Sequence, residues 1–213
     1  MSLHMAKSHR NQPSARTMHR IGEGPLIDVH LQQSVRADGQ TTSSLGIDLS
    51  GAPVPDRRYV ADVVSVIPGR DVIKLLFGQE KVSSGLRSLV VIHMAQFAVG
   101  AFVSAILDMK NPTVAEVMKI SNIDAKLLSS ISDEPEQTVA MTASVAAAAV
   151  SGQEACVDFY QISPFARLNV MASKKISVDP VVRVELSTSL LVALVEKLKE
   201  ISSNFPHEVM HGG

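Results

Sequence analysis

The chain has 213 residues and a formal net charge of −1, from 20 Lys+Arg against 21 Asp+Glu. Apolar residues make up 46% and charged residues 19%, which excludes a wholly disordered chain and leaves material for a real core. The near-zero charge excludes a chain-wide positive field for nucleic acid or anionic lipid, and 4% aromatics is too few for a surface built on stacking.

Residues 1–20 carry Lys7, Arg10, Arg16 and Arg20 and no acid, so this basic arm holds +4 and the remainder −5. No apolar period runs through it, which predicts a flexible arm: a solvated tail, or a tether for phosphate or an acidic partner. It also lacks the apolar stretch of a signal peptide. The longest apolar stretches, 97–107 and 139–150, fall short of the roughly 20 residues a membrane span needs. These features predict a cytoplasmic protein with no membrane insertion. Residues 21–55 form an irregular, edge-strand region. Leu26-Ile27-Asp28-Val29-His30-Leu31 and Leu45-Gly46-Ile47-Asp48-Leu49 alternate as short strands do, and Gly51-Ala52-Pro53-Val54-Pro55 ends the region.

The rest of the chain reads as one pattern written twice. Asp62-Val63-Val64-Ser65-Val66-Ile67-Pro68 lines up with Asp158-Phe159-Tyr160-Gln161-Ile162-Ser163-Pro164. The segment 76–82 matches 170–176. The longest block aligns 89–94 with 181–186 and runs on without a gap from 97–103 to 189–195. In each copy β-branched runs end in a segment whose period changes from two to 3.6. The predicted fold is α+β, with tandem duplicated β-β-β-α units and antiparallel sheets, joined by a helical segment. The first repeat takes 56–110, the helical linker 111–152, the second repeat 153–202, and a C-terminal tail 203–213.

Within the first helix, Ala98, Val99, Phe102, Val103, Ile106 and Leu107 form the apolar stripe, and Gly100, Ala101, Ser104 and Ala105 leave the opposite face small and nearly uncharged. Such a helix wants a cover on both sides, from the middle segment or another subunit. Ala98, Phe102, Val103 and Ile106 are the residues predicted to carry a contact with a second copy. In the second helix Ser187, Thr188 or Ser189 caps a stripe of Leu190, Leu191, Leu194, Val195 and Leu198. In the linker, Thr113-Val114-Ala115-Glu116 spells a capping box, and Asn122 caps a second short helix over 123–131. Asp124 and Lys126 there are poor material for reading base edges, so the pair reads as a structural hairpin. The alanine-rich stretch from about 134 to 150 reads as a helix, with a buried strand as the other possibility.

Leu75-Leu76-Phe77-Gly78-Gln79 and Val90-Val91-Ile92-His93-Met94 resemble the pattern of an uncharacterised prokaryotic family of small strand-strand-strand-helix domains, which brings no activity with it. The tandem architecture is also similar to that of PUR-type and Whirly-type repeats. That resemblance implies single-stranded nucleic-acid binding on an exposed basic face. The basic candidates are Arg70, Lys74, Arg87, Arg167, Lys174, Lys175 and Arg183, beside Tyr160 and Phe165. With the arm's Arg10, Arg16 and Arg20, the residues Arg167, Lys174, Lys175 and Arg183 form the nucleic-acid alternative.

His207-Glu208-Val209-Met210-His211 spells H-E-x-x-H, in which two His one turn apart hold zinc and the Glu activates water. Only Gly212 and Gly213 follow, so His207 and His211 are weak metal candidates with no downstream third ligand. Cys156 is the single cysteine and sits in an apolar run, as a buried thiol does. No phosphate loop, nucleophile elbow or dinucleotide fingerprint occurs. The sequence therefore predicts no cofactor and no catalytic residues. The expected function is a non-enzymatic homo-oligomeric assembly or protein-interaction protein whose partner is itself or another protein. Nucleic-acid binding is the alternative, and a zinc-dependent hydrolase through His207, Glu208 and His211 is a remoter one.

Overall fold

A computed structural model describes residues 25–35, 41–81, 85–119, 135–163 and 173–202. A hairpin comes first, β1 (Leu26–Val35) and β2 (Thr41–Ile47), followed by a 3-10 turn at Leu49–Gly51. Then come β3 (Arg58–Val60), β4 (Val63–Pro68), β5 (Val72–Glu80), β6 (Leu86–Ala95), α1 (Gln96–Leu107) and α2 (Pro112–Lys119). The second half runs β7 (Val139–Ala143), β8 (Val145–Ser151), β9 (Glu154–Ile162), β10 (Lys175–Ser187) and α3 (Thr188–Ser202). The fold is α+β, with mostly antiparallel sheets.

Two sheets form. The first has the order β4-β5-β6-β7, and the second β2-β1-β10-β9-β8, with β3 beside the far end of β10. Neighbours are antiparallel except at two places. β7 runs parallel to β6 (Ile92 opposite Met141), and β3 runs parallel to β10 (Val184 opposite Tyr59). Each half thus lends its leading strand to the other half's sheet. The helices cross over too: α1 packs on α3 and β8, and α3 packs on α1 and β4.

The registers of the two halves correspond. Val64 faces Phe77 in the first, and Ala146 faces Phe159 in the second, each residue 82 positions on from its counterpart. Phe77 faces Val90 and Phe159 faces Val182, where the last strand has moved on by 92. Both hairpins carry a bulge at the same step, after Phe77 and after Pro180. The ten extra residues of the second half fall between β9 and β10. Side chains repeat as well. The Gln96 amide donates to the Arg70 carbonyl, and the Thr188 hydroxyl donates to the Gly152 carbonyl. Asp62 Oδ1 accepts from the Glu80 N–H, and Ser144 Oγ from the Ile162 N–H.

One apolar core spans both sheets and the three described helices. Leu75, Phe77, Val90, Ile92 and Met94 enter it from the first sheet, and Val157, Phe159, Val182 and Val184 from the second. Phe77 and Phe159 meet edge to face with centroids 5.9 Å apart, the geometry that ring quadrupoles favour. Gly78 sits at the bulge, where a Cβ would lie 2.9 Å from both the Arg87 carbonyl oxygen and Leu86 Cδ1. Only glycine fits there, which is the physical content of the Phe-Gly-Gln spelling.

Several expectations are corrected. Residues 139–151 are strands β7 and β8, so the helical linker over 111–152 reduces, among the described residues, to α2. Alanine favours helix by default, but three valines and the wish of α1 to approach closely decide for a sheet of small side chains. The pairing of 62–68 with 158–164 is also out of register, because β4 corresponds to β8 and not to the end of β9. An Asp-apolar-Pro spelling is too short to fix a register. In α2 the cap is Asn111, whose Oδ1 accepts from the Thr113 N–H at 2.9 Å, with Pro112 in the first turn. The capping box on Thr113 is not used. The expected helix over 123–131 lies outside the described residues.

Candidate interaction surface

The apolar stripe of α1 faces inward. Ala98, Phe102, Val103 and Ile106 are all buried in the chain's own core, so the residues expected to touch a second copy instead hold α1 on α3 and β8. This corrects the sequence expectation. A 3.6-residue stripe says that a face is covered and does not say by which chain. The outward face of α1 is the other one. Phe97 is 64% exposed and Leu107 43%, and Ala101, Ser104 and Ala105 between them are exposed, with no charge among the five.

β8 lies beside this helix and ends its sheet: among the described residues no strand pairs with its outer edge. Its sequence, Val-Ala-Ala-Ala-Ala-Val-Ser, has no charge and no proline. Folded proteins usually blunt such an edge with lysine, proline or a bulge. The corresponding strand in the first half, β4, ends in an exposed proline, Pro68. At one end of β8 the Asn111 amide donates to the Val150 carbonyl at 3.4 Å, and Ala147 to Ala149 are half-buried or exposed.

On the outer face of the second sheet, Arg183 and Asp158 form a two-pronged ion pair, Nε to Oδ1 and Nη2 to Oδ2 both at 2.6 Å. Both side chains are largely buried, and the carboxylate raises the guanidinium pKa further above its ordinary value. Tyr160 lies next to the pair, its hydroxyl donating to Asp158 Oδ2 at 3.5 Å. Burial, and then the negative charge of Asp158, push its pKa up to about 12. Burial likewise pushes the Cys156 thiol up, holding it as a weakly nucleophilic S–H.

The basic candidates do not converge. Arg183 is committed to Asp158. Lys174 and Lys175 are exposed at the start of β10, where Lys174 takes φ 52° as the turn into the strand. Lys175 faces Asp28 across β1. Arg70 lies between β4 and β5 and Arg87 on β6, elements of the first sheet, whereas β10 belongs to the second. Arg10, Arg16, Arg20, Phe165, Arg167, His207 and His211 lie outside the described residues. Among the described residues no three His, Cys, Asp or Glu side chains form a group able to hold a metal, and no helix is long and apolar enough to cross a membrane. Sequence reasoning missed the edge of β8, because it read the alanines as helix. The available signal was the pair Phe77-Gly78-Gln79 and Phe159-Tyr160-Gln161, 82 residues apart.

Comparison of the chain with protein-family models, with curated proteins and with solved structures finds no match.

Proposed function

We propose that the chain is a non-enzymatic assembly protein, a strand-exchanged duplicate of one unit, and that copies meet through the edge of β8. The supporting observation is that edge: seven residues of strand, uncharged, without proline, ending a six-stranded sheet. Antiparallel pairing of β8 with β8 of a second copy about Ala148 would satisfy the N–H and C=O groups that no described strand pairs with, and make one continuous sheet. Ala147 of one copy would then face Ala149 of the other, and the alanines leave room for close approach. A reducing, cytoplasmic setting suits the lone, protonated thiol of Cys156 and belongs to the same proposal. The nucleic-acid alternative is less supported, since Arg183 is already neutralised by Asp158.

Ala147→Lys with Ala149→Lys places like charges opposite each other across the axis. Light scattering should give an oligomer for the native chain and a smaller species for this variant, with an unchanged circular dichroism spectrum. Mixing it with the Ala147→Glu, Ala149→Glu variant should restore association. A native chain that stays monomeric at every concentration, or a lysine variant that still associates, contradicts the proposal.

A further inference from the structure

We infer that Asn111 is a gate on the edge of β8: its side-chain amide occupies an outward carbonyl of that strand, and a second copy must displace it in order to pair. The gate regulates the β8 contact proposed above and stands only if copies meet there.

The geometry starts at the cap of α2. Asn111 Oδ1 accepts from the Thr113 N–H at 2.9 Å and from the Val114 N–H at 3.4 Å. With its acceptor spent on the helix, the amide turns its Nδ2, a donor only, the other way. Nδ2 donates to the Val150 carbonyl at 3.4 Å. α1 packs on β8, and the chain reaches Asn111 shortly after α1 ends at Leu107, which brings the side chain to that strand. Val150 lies opposite Ala155 of β9. Successive residues of an antiparallel strand turn their N–H and C=O to opposite sides, so a carbonyl that bonds Asn111, outside the sheet, faces away from β9. By the same alternation, Ala148 and Ala146 present their N–H and C=O to that edge. In the pairing about Ala148, Val150 faces Ala146 of the second copy, whose N–H has to reach the carbonyl that Asn111 holds. The bond to β8 is at the long end of the hydrogen-bonding range and the bond to Thr113 is not, so displacement releases the gate and leaves α2 capped.

The first half carries a block at the same position. The shift of 82 that relates β4 to β8 puts Val150 on Pro68, and their cross-strand neighbours, Ala155 and Ile73, correspond as well. Pro68 is exposed at the end of β4 and has no N–H to offer. Both edges are thus blunted at one equivalent place. On β4 the block is a proline ring and permanent; on β8 it is a side chain that a competing donor replaces.

Asn111→Ser separates the two roles. The serine Oγ still caps α2, but the shorter side chain carries no donor to the Val150 carbonyl. Sedimentation equilibrium should give the variant a dimer dissociation constant roughly three- to tenfold below that of the native chain, because each dimer has two gates to displace. Asn111→Thr, a capping residue of the same reach, should behave alike. Nuclear magnetic resonance of the native chain adds a second readout: the Asn111 side-chain amide protons should exchange with water faster as concentration rises, while the Thr113 amide stays protected. Unchanged or weaker association in both variants, or Asn111 exchange that ignores concentration, would overturn the gate. If Ala147→Lys with Ala149→Lys splits the dimer while Asn111→Ser leaves its dissociation constant unchanged, the gate alone fails; a native chain that never associates overturns the β8 contact and the gate together.

Discussion

Asp158 and Arg183 show how a charged pair is tolerated on a sheet face. Each carboxylate oxygen receives one guanidinium hydrogen bond, and both side chains are mostly out of water. Removing one partner strands the other, so Asp158→Leu or Arg183→Met should each destabilise the chain by about 2 kcal/mol. The double variant should cost less than the sum, read by denaturant unfolding; additive losses would show that the pair does not act as a unit. Tyr160 adds a pH signature. Its folded pKa of about 12 lies above the ordinary value near 10. Between these values the unfolded chain loses the phenolic proton while the folded chain keeps it, so stability is full below pH 10 and falls as pH rises toward 12. The loss should be roughly 1 to 3 kcal/mol. Tyr160→Phe should remove that part of the decline in urea unfolding at pH 10 to 12; an identical slope in the variant would contradict the assignment.

At the scale of elements, α1 separates what a pattern reveals from what it conceals. The spacing of Ala98, Phe102, Val103 and Ile106 made the helix and its covered face legible, as did the serine before α3, where Ser187 Oγ accepts from the Leu190 N–H at 3.1 Å. The identity of the covering elements, α3 and β8, was not legible, because it depends on a crossover between halves that no local period records. β8 was hidden for a related reason: alanine's preference for helix is weak and yields to a sheet that needs thin side chains under α1. Phe102→Asp puts a charge at a buried core site. It should unfold the chain, costing about 4 kcal/mol or more, rather than simply split an oligomer. A folded variant by circular dichroism, changed only in size, would place this face at a subunit contact after all.

For the whole molecule, reciprocity is the organising fact. Each half supplies the other with its leading strand and a packing helix, so neither has a complete sheet alone. β6 runs into α1 and β10 into α3 without a loop, which is why the match of 89–94 with 181–186 extends without a gap to 97–103 and 189–195. The earlier strands do not share that offset: the facing pairs Val64–Phe77 and Ala146–Phe159 lie 82 residues apart, whereas Val90 and Val182 lie 92 apart. Among the described residues no strand pairs with the outer edge of β8, and its proposed occupancy by a second copy is the central claim. Hydrogen exchange of the β8 amides measured at high protein concentration and again after hundredfold dilution tests it most directly. Outward-pointing amides of β8 are expected to be protected in the concentrated sample and to exchange rapidly on dilution, while those bonded to β9 stay slow. Outward amides that exchange equally fast at both concentrations would contradict it.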